Sequence, residues 1–205
     1  MLAIIDYGMG NLHSVSMALK RMNAPFRVTS DPGEIVQSSG MILPGVGAFG
    51  DAMRELEARG LVSVIKQEAN KEKPLLGICL GMQLLFSSSD EHGYHQGLNL
   101  LPGHVVRFKG DYLIPHMGWN WLSMKHPHPL FYGLKEDYVY FVHSYHVQAE
   151  NAEDVIATTD YYQPVTAVVA RNNIYGMQFH PEKSGELGLK LLERFVRLTE
   201  SKVGV

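Results

Sequence analysis

The sequence holds a single cysteine, Cys79, which excludes an internal disulfide and any zinc site built from several thiolates. That thiol is then either a small buried hydrophobe or a reactive group. No run of about 18 apolar residues occurs, so no membrane-crossing helix is expected and no membrane partner. The N-terminal Met1-Leu2-Ala3-Ile4-Ile5 meets Asp6 before a signal-peptide core forms, and a cytoplasmic location is expected. Positive charge is not in excess either. A formal net charge of −3, with no Lys/Arg run interleaved with aromatics, argues against nucleic acid as a partner. Repeats, low-complexity tracts and linkers are also missing.

What is present is a chain of 205 residues, 45% of them hydrophobic, enough to close a core without staples. One domain over residues 1–205 is expected. Ten histidines and the segment His126-Pro127-His128-Pro129 raise the question of a metal. The prolines force an extended chain there and no Cys, Asp or Glu cluster of ligand spacing accompanies it, so neither metal nor cofactor is expected.

The first half alternates short apolar runs with helical patterns, the mark of an α/β fold with a mostly parallel sheet flanked by helices. Leu2–Asp6 reads as a strand, followed by a helix whose apolar face is Leu12, Val15, Leu19 and Met22. Met41–Leu43 is a second strand, running into Pro44-Gly45-Val46-Gly47 and then a helical stretch from about Asp51 to Asn70, broken near Gly60. Leu75–Ile78 repeats the strand pattern, with a helical run at Met82–Phe86. From Asn99 onward a β-rich extension is expected, with strands at Val105–Phe108, Tyr138–Val147, Val155–Thr159, Thr166–Ala170 and Ile174–Phe179. Ser184–Thr199 closes the chain as a helix.

Gly77-Ile78-Cys79-Leu80-Gly81 sits between a buried strand and a helix, a cysteine version of the nucleophile elbow. Flanking glycines allow the tight turn that exposes the middle side chain, and the N-terminus of the following helix favours a thiolate. A buried structural cysteine is the commoner fate of a lone thiol, but the glycines at this junction favour the nucleophile. Such a thiol needs a base, and the base needs an acceptor to orient it. His180-Pro181-Glu182 supplies both after the strand ending at Phe179, at the sheet edge where a parallel arrangement puts the elbow. Alone the tripeptide means little, since Glu182 equally serves to cap the last helix.

Gly77-Ile78-Cys79-Leu80-Gly81-Met82-Gln83 together with His180-Pro181-Glu182 resembles the class I (triad) glutamine amidotransferases. By that resemblance Cys79 attacks the side-chain amide of glutamine, His180 shuttles the proton and Glu182 orients His180. The loop at Val46 and Gly47 would form an oxyanion hole with the N–H of Leu80. Gly45, Gln83, His143, Ser144 and Tyr145 would border the bound glutamine.

Further segments narrow the likeness. Asp6-Tyr7-Gly8-Met9-Gly10-Asn11, Pro115-His116-Met117-Gly118-Trp119-Asn120, Phe141-Val142-His143-Ser144-Tyr145 and Gln178-Phe179-His180-Pro181-Glu182-Lys183-Ser184 resemble the glutaminase subunits of imidazole glycerol phosphate synthase, nearly end to end. That family passes ammonia to a (β/α)₈ cyclase in a heterodimer, making imidazole glycerol phosphate and AICAR from PRFAR in histidine biosynthesis. Asn11, Tyr140 and Lys183 would then lie at the partner contact. Three alternatives stay open: an amidotransferase subunit serving bacterial surface sugars, a stand-alone cysteine hydrolase, and a silent regulatory subunit.

Overall fold

A computed structural model describes residues 1–200 of the chain; the domain expected over 1–205 includes 201–205, which lie outside the described residues. Eight strands form the main sheet, in the order Phe26–Thr29, Leu2–Ile5, Gly40–Gly45, Leu75–Cys79, Ile174–Met177, Pro164–Arg171, Val155–Asp160 and Ser123–Met124. The first five run parallel and the last three pair antiparallel. The parallel strands read as unbroken apolar runs because both faces are covered. Leu2 and Ile4 join a core with the helices Leu12–Arg21 and Gly185–Glu200, while Ala3 and Ile5 join another with Phe49–Ala58 and Leu61–Asn70.

A four-stranded sheet, in the order Tyr145–Ala149, Leu101–Arg107, Phe86–Ser89 and His95–Gln96, and a ribbon of His116–Trp121 with Tyr138–His143 make up the β-rich extension. The helical break expected near Gly60 is there, with Gly60 left-handed at φ +68° between the two helices. No helix of the described residues is long and apolar enough to cross a membrane.

Several expectations needed correction. The helical run expected at Met82–Phe86 begins and ends two positions earlier, as the helix Leu80–Leu84, and Phe86 already opens a strand whose backbone pairs with Leu101–Arg107. Tertiary pairing overrides local helical spacing here. The single piece expected over Tyr138–Val147 divides at Ser144, its halves joining different sheets. Phe26–Thr29 and the helix Pro32–Gln37 were not foreseen. The first is a four-residue edge strand with Arg27 and Val28 exposed, too short and polar to signal. The second carries the Asp31 cap, which accepts from the N–H groups of Gly33 and Glu34, and a proline in its first turn, a start signal that was legible.

Candidate active site

Cys79 ends a strand flanked by Gly40–Gly45 and Ile174–Met177, with Gly45 opposite Cys79 and Met177 opposite Ile78. Three chain segments therefore leave the sheet side by side: Gly45-Val46-Gly47, Cys79-Leu80-Gly81 and Gln178-Phe179-His180. Parallel pairing delivers their side chains to one edge, as in other open α/β sheets.

The elbow's strain sits on the nucleophile itself. Cys79 holds φ +55° and ψ −113°, a conformation an L-residue adopts only when its surroundings impose it. Gly77 and Gly81 serve a different end from the turn flexibility expected of them. A Cβ on Gly77 would lie 2.5 Å from the carbonyl oxygen of Gly81, and one on Gly81 would lie 1.8 Å from that of Leu43. They allow close backbone approach, and the approach forces the turn.

His180 is buried, and its Nδ1 lies 2.9 Å from Oε1 of Glu182 while the ring also hydrogen-bonds the Cys79 thiol. Burial by itself would lower the imidazole pKa. Hydrogen bonds to Cys79 and Glu182 and the charges of both outweigh it, raising His180 from 6.5 to about 10. The Glu182 side chain has no exposed surface and its Oε2 has no hydrogen-bond partner among the described residues, so its charge is committed to His180 and it does not cap the helix that begins at Gly185. Ser184 braces the turn: its hydroxyl donates to the His180 carbonyl at 2.6 Å and accepts from the Tyr140 N–H at 2.9 Å.

A cleft of about 310 Å³ opens over these groups. Val46, Gly47, Cys79, Leu80, Gln83, His143, Ser144, Tyr145 and His180 line it, all singled out from the sequence. Gly45 does not. It is packed behind the wall, where a Cβ would meet the Tyr7 hydroxyl at 2.7 Å and the Gly81 nitrogen at 2.8 Å. The Tyr7 hydroxyl donates to the Pro44 carbonyl at 2.8 Å, and burial followed by the Cys79 charge pushes its pKa far above the usual phenol value. Tyr7 thus stays a donor and anchors the loop's first peptide. Beyond that anchor, Gly47 takes φ +97°, and the N–H groups of Val46 and Gly47 have no partner among the turn and loop hydrogen bonds of the described residues.

His143 donates from Nδ1 to the Tyr145 carbonyl at 2.7 Å, with Nε2 3.0 Å from Nδ1 of His116. Burial above all lowers its pKa to about 3, so it is neutral and its tautomer is set by that carbonyl. Asn11, Tyr140 and Lys183 lie outside the cleft. Asn11 caps the helix Leu12–Arg21 by accepting from the Ser14 N–H, and Lys183 is exposed. His128, in the segment weighed for metal, accepts from the Leu130 N–H and so caps a 3₁₀ turn at Pro129–Phe131.

Two cleft residues were missed by sequence reasoning, and a further residue, polar and buried, stands behind the wall. Glu91 accepts the Phe49 N–H at 2.7 Å through Oε2, capping a helix whose own N-cap, Ala48, supplies no side-chain bond, and it lines the cleft beside Val46. A Ser-x-Glu turn carries no such signal in sequence. Val142 also lines the cleft, its carbonyl 3.9 Å from the Cys79 sulfur. Gln178 lies fully buried, with Nε2 3.9 Å from the same sulfur.

A family model described as glutamine amidotransferase class-I matches residues 3–198. The imidazole glycerol phosphate synthase subunit HisH of Geobacillus sp. (strain WCH70) is 50% identical, the match covering 98% of this chain and 99% of that one. The subunit of the same name from Shouchella clausii is 52% identical over 98% and 99%. Among solved structures, a glutamine amidotransferase superposes with a TM-score of 0.78 at 16% identity, covering 97% of this chain and 98% of that one. PurLQS from Thermotoga maritima does so at 0.70 and 18%, covering 96% and 97%. At those identities the two structures establish a shared fold.

Proposed function

The chain belongs to the class I glutamine amidotransferases and, among them, to the HisH subunits of imidazole glycerol phosphate synthase, and we propose that Cys79, His180 and Glu182 are the groups with which it cuts ammonia from glutamine. It is the glutaminase subunit of that synthase in histidine biosynthesis and works with a cyclase subunit. The relatives' match over nearly the whole chain favours this over the surface-sugar and stand-alone readings.

In the proposed reaction the Cys79 thiolate attacks the side-chain carbonyl carbon of glutamine. The oxygen takes up negative charge facing the N–H groups of Val46, Gly47 and Leu80. His180, protonated beside the thiolate, gives its proton to the departing nitrogen, and ammonia leaves a thioester. His180 then takes a proton from water as the water attacks, and the C–S electron pair returns to sulfur as glutamate departs. Glu91, with one oxygen bound to the Phe49 N–H, offers the other to the substrate's α-ammonium. His143, Ser144 and Tyr145, where the chain crosses between sheets, flank its α-carboxylate, while Gly45 acts by packing the loop.

Ammonia released into water near neutral pH is protonated and lost to the acceptor, so the transfer calls for a closed contact. We place the cyclase, a (β/α)₈ barrel, against the ribbon, with Asn11, Tyr140 and Lys183 at its border and the cytoplasm as the compartment. Supporting this is the ribbon's outward face, where Met117, Trp119, Trp121 and Tyr138 are all exposed. The single observation that carries the catalytic reading is the buried Cys79–His180–Glu182 chain at the floor of the cleft. It is tested by titrating the thiol with a glutamine-like alkylating reagent. Alkylation at Cys79, slowed by added glutamine and accompanied by loss of glutamate release, is expected; slow labelling indifferent to glutamine would refute it.

A further inference from the structure

Gln178 follows directly on the strand Ile174–Met177 and has no exposed surface. Its backbone N–H is held by the Ala167 carbonyl at 2.9 Å, so the side chain leaves a fixed point. Its Nε2 lies 3.9 Å from Cys79 Sγ, and its Oε1 accepts from Gln83 Nε2 at 3.0 Å. Gln83 is itself buried and gives the second hydrogen of that nitrogen to the Tyr145 carbonyl at 2.9 Å.

The two ends of a carboxamide have one shape and opposite hydrogen-bonding character, so neighbours decide which end faces which way. Here the decision starts at a backbone carbonyl. The Tyr145 oxygen can only accept, and it is anchored further by His143 Nδ1 at 2.7 Å. The amino end of Gln83 must therefore face it. The same nitrogen's other hydrogen then points at Gln178, which must answer with its oxygen. Only the amino end of Gln178 is left for the sulfur. Turning Gln178 over would set two amino groups against each other and aim an oxygen lone pair at a thiolate, two repulsions at a side chain that has no exposed surface.

We propose that Gln178 is a further catalytic residue, a second N–H donor to the Cys79 sulfur besides His180, and that Gln83 is the positioning residue that turns this donor toward it. The inference rests on Cys79 being the nucleophile. The donor matters whenever the sulfur carries charge: before attack, and again when the C–S electron pair returns to sulfur as the thioester breaks. In the thioester itself the sulfur is neutral and the interaction weakens, so Gln178 eases the step in which charge returns to the sulfur, thioester breakdown, and acts on turnover instead of glutamine affinity.

The test uses the chain with its cyclase partner and two shape-conserving variants, Gln178→Met, which removes the donor, and Gln178→Glu, which keeps the acceptor for Gln83 and turns an oxygen to the sulfur. A hydrogen bond to a charged group is worth roughly a tenfold effect at this length, so Gln178→Met is expected to lower kcat for glutamate release about tenfold with KM within about twofold. Gln178→Glu is expected to be worse, on the order of a hundredfold. In both, the pH at which iodoacetamide alkylation of Cys79 reaches half its plateau rises, and synthesis from ammonium salts persists, showing the complex intact. If Gln178→Met does not fold, Gln178→Glu gives the readout by itself. Unchanged kcat and alkylation profile in a folded variant overturn the proposal, as does a raised KM with unchanged kcat, which means the residue only packs the cleft. Cys79→Ala assayed alongside separates the two readings, because glutamate release surviving in that variant overturns the nucleophile itself.

Discussion

The two faces of the strand Tyr138–His143 belong to opposite regimes of the molecule. Inward, Val139 and Phe141 are buried in the apolar core and His143 is buried with its ring hydrogen-bonded; outward, Tyr138, Tyr140 and Val142 pair across the ribbon with Trp121, Trp119 and Met117 to give a largely aromatic ladder open to solvent. A polar edge whose groups are already oriented is what a nucleophile needs, because every group must already point correctly when charge develops. An open aromatic ladder is what an interface hot spot needs, since it has area left to bury. One residue joins the regimes: the Tyr140 carbonyl accepts the His180 N–H at 3.1 Å while its ring stands 5.9 Å from that of Trp119. Pressure on the outer face is thus one peptide away from the base.

The hardest break of this division is Cys79→Ala. Glutamate release is expected to fall to background, while synthesis from ammonium salts by the complex continues, because the sulfur serves only the inner regime. Assaying both reactions on one preparation decides it, and joint loss would show Cys79 to be structural.

His180→Ala comes next, with an expected fall in glutamate release of about 10²–10⁴-fold and no change in affinity for the cyclase. Comparing steady-state rates with a binding titration separates the inner effect from the outer.

On the ribbon, Trp119→Ala is expected to weaken the complex by ~2 kcal/mol, about thirtyfold in Kd, and to leave ammonia-driven synthesis unaltered once binding is saturated. Val28→Ala, on the far edge strand, serves as a surface control with no such effect.

The mildest test shifts a pH limb. His180 is held up at about 10 against 6.5, so the stability contributed by its protonated form is fully present below pH 6.5 and is lost as pH rises through about 10. Glu182→Gln removes one of the charges that raise it, and the alkaline limb of glutamate release is expected to move to lower pH. A limb that stays in place would show that Glu182 orients the ring without tuning its charge.

How much of this was legible beforehand follows the range of the interactions. Cys79 with its flanking glycines, and His180 with Glu182 two positions on, are local patterns at strand ends, and parallel topology then leaves little choice about where they meet. The apolar runs Leu2–Ile5 and Leu75–Ile78 determined a two-faced buried sheet for the same reason, since only a covered sheet tolerates unbroken hydrophobic strands. Tertiary structure alone decided the rest. Glu91 reaches the cleft by capping a helix 42 positions earlier in the chain, and Gln178 is aimed by Gln83, 95 positions away. Gly45 looked like a wall of the glutamine site, yet its lack of a side chain clears room for Tyr7 and Gly81. The direction of an amide, the filling of a gap and the exposure of one strand face are set by what folds against them, and no spacing along the chain records that partner.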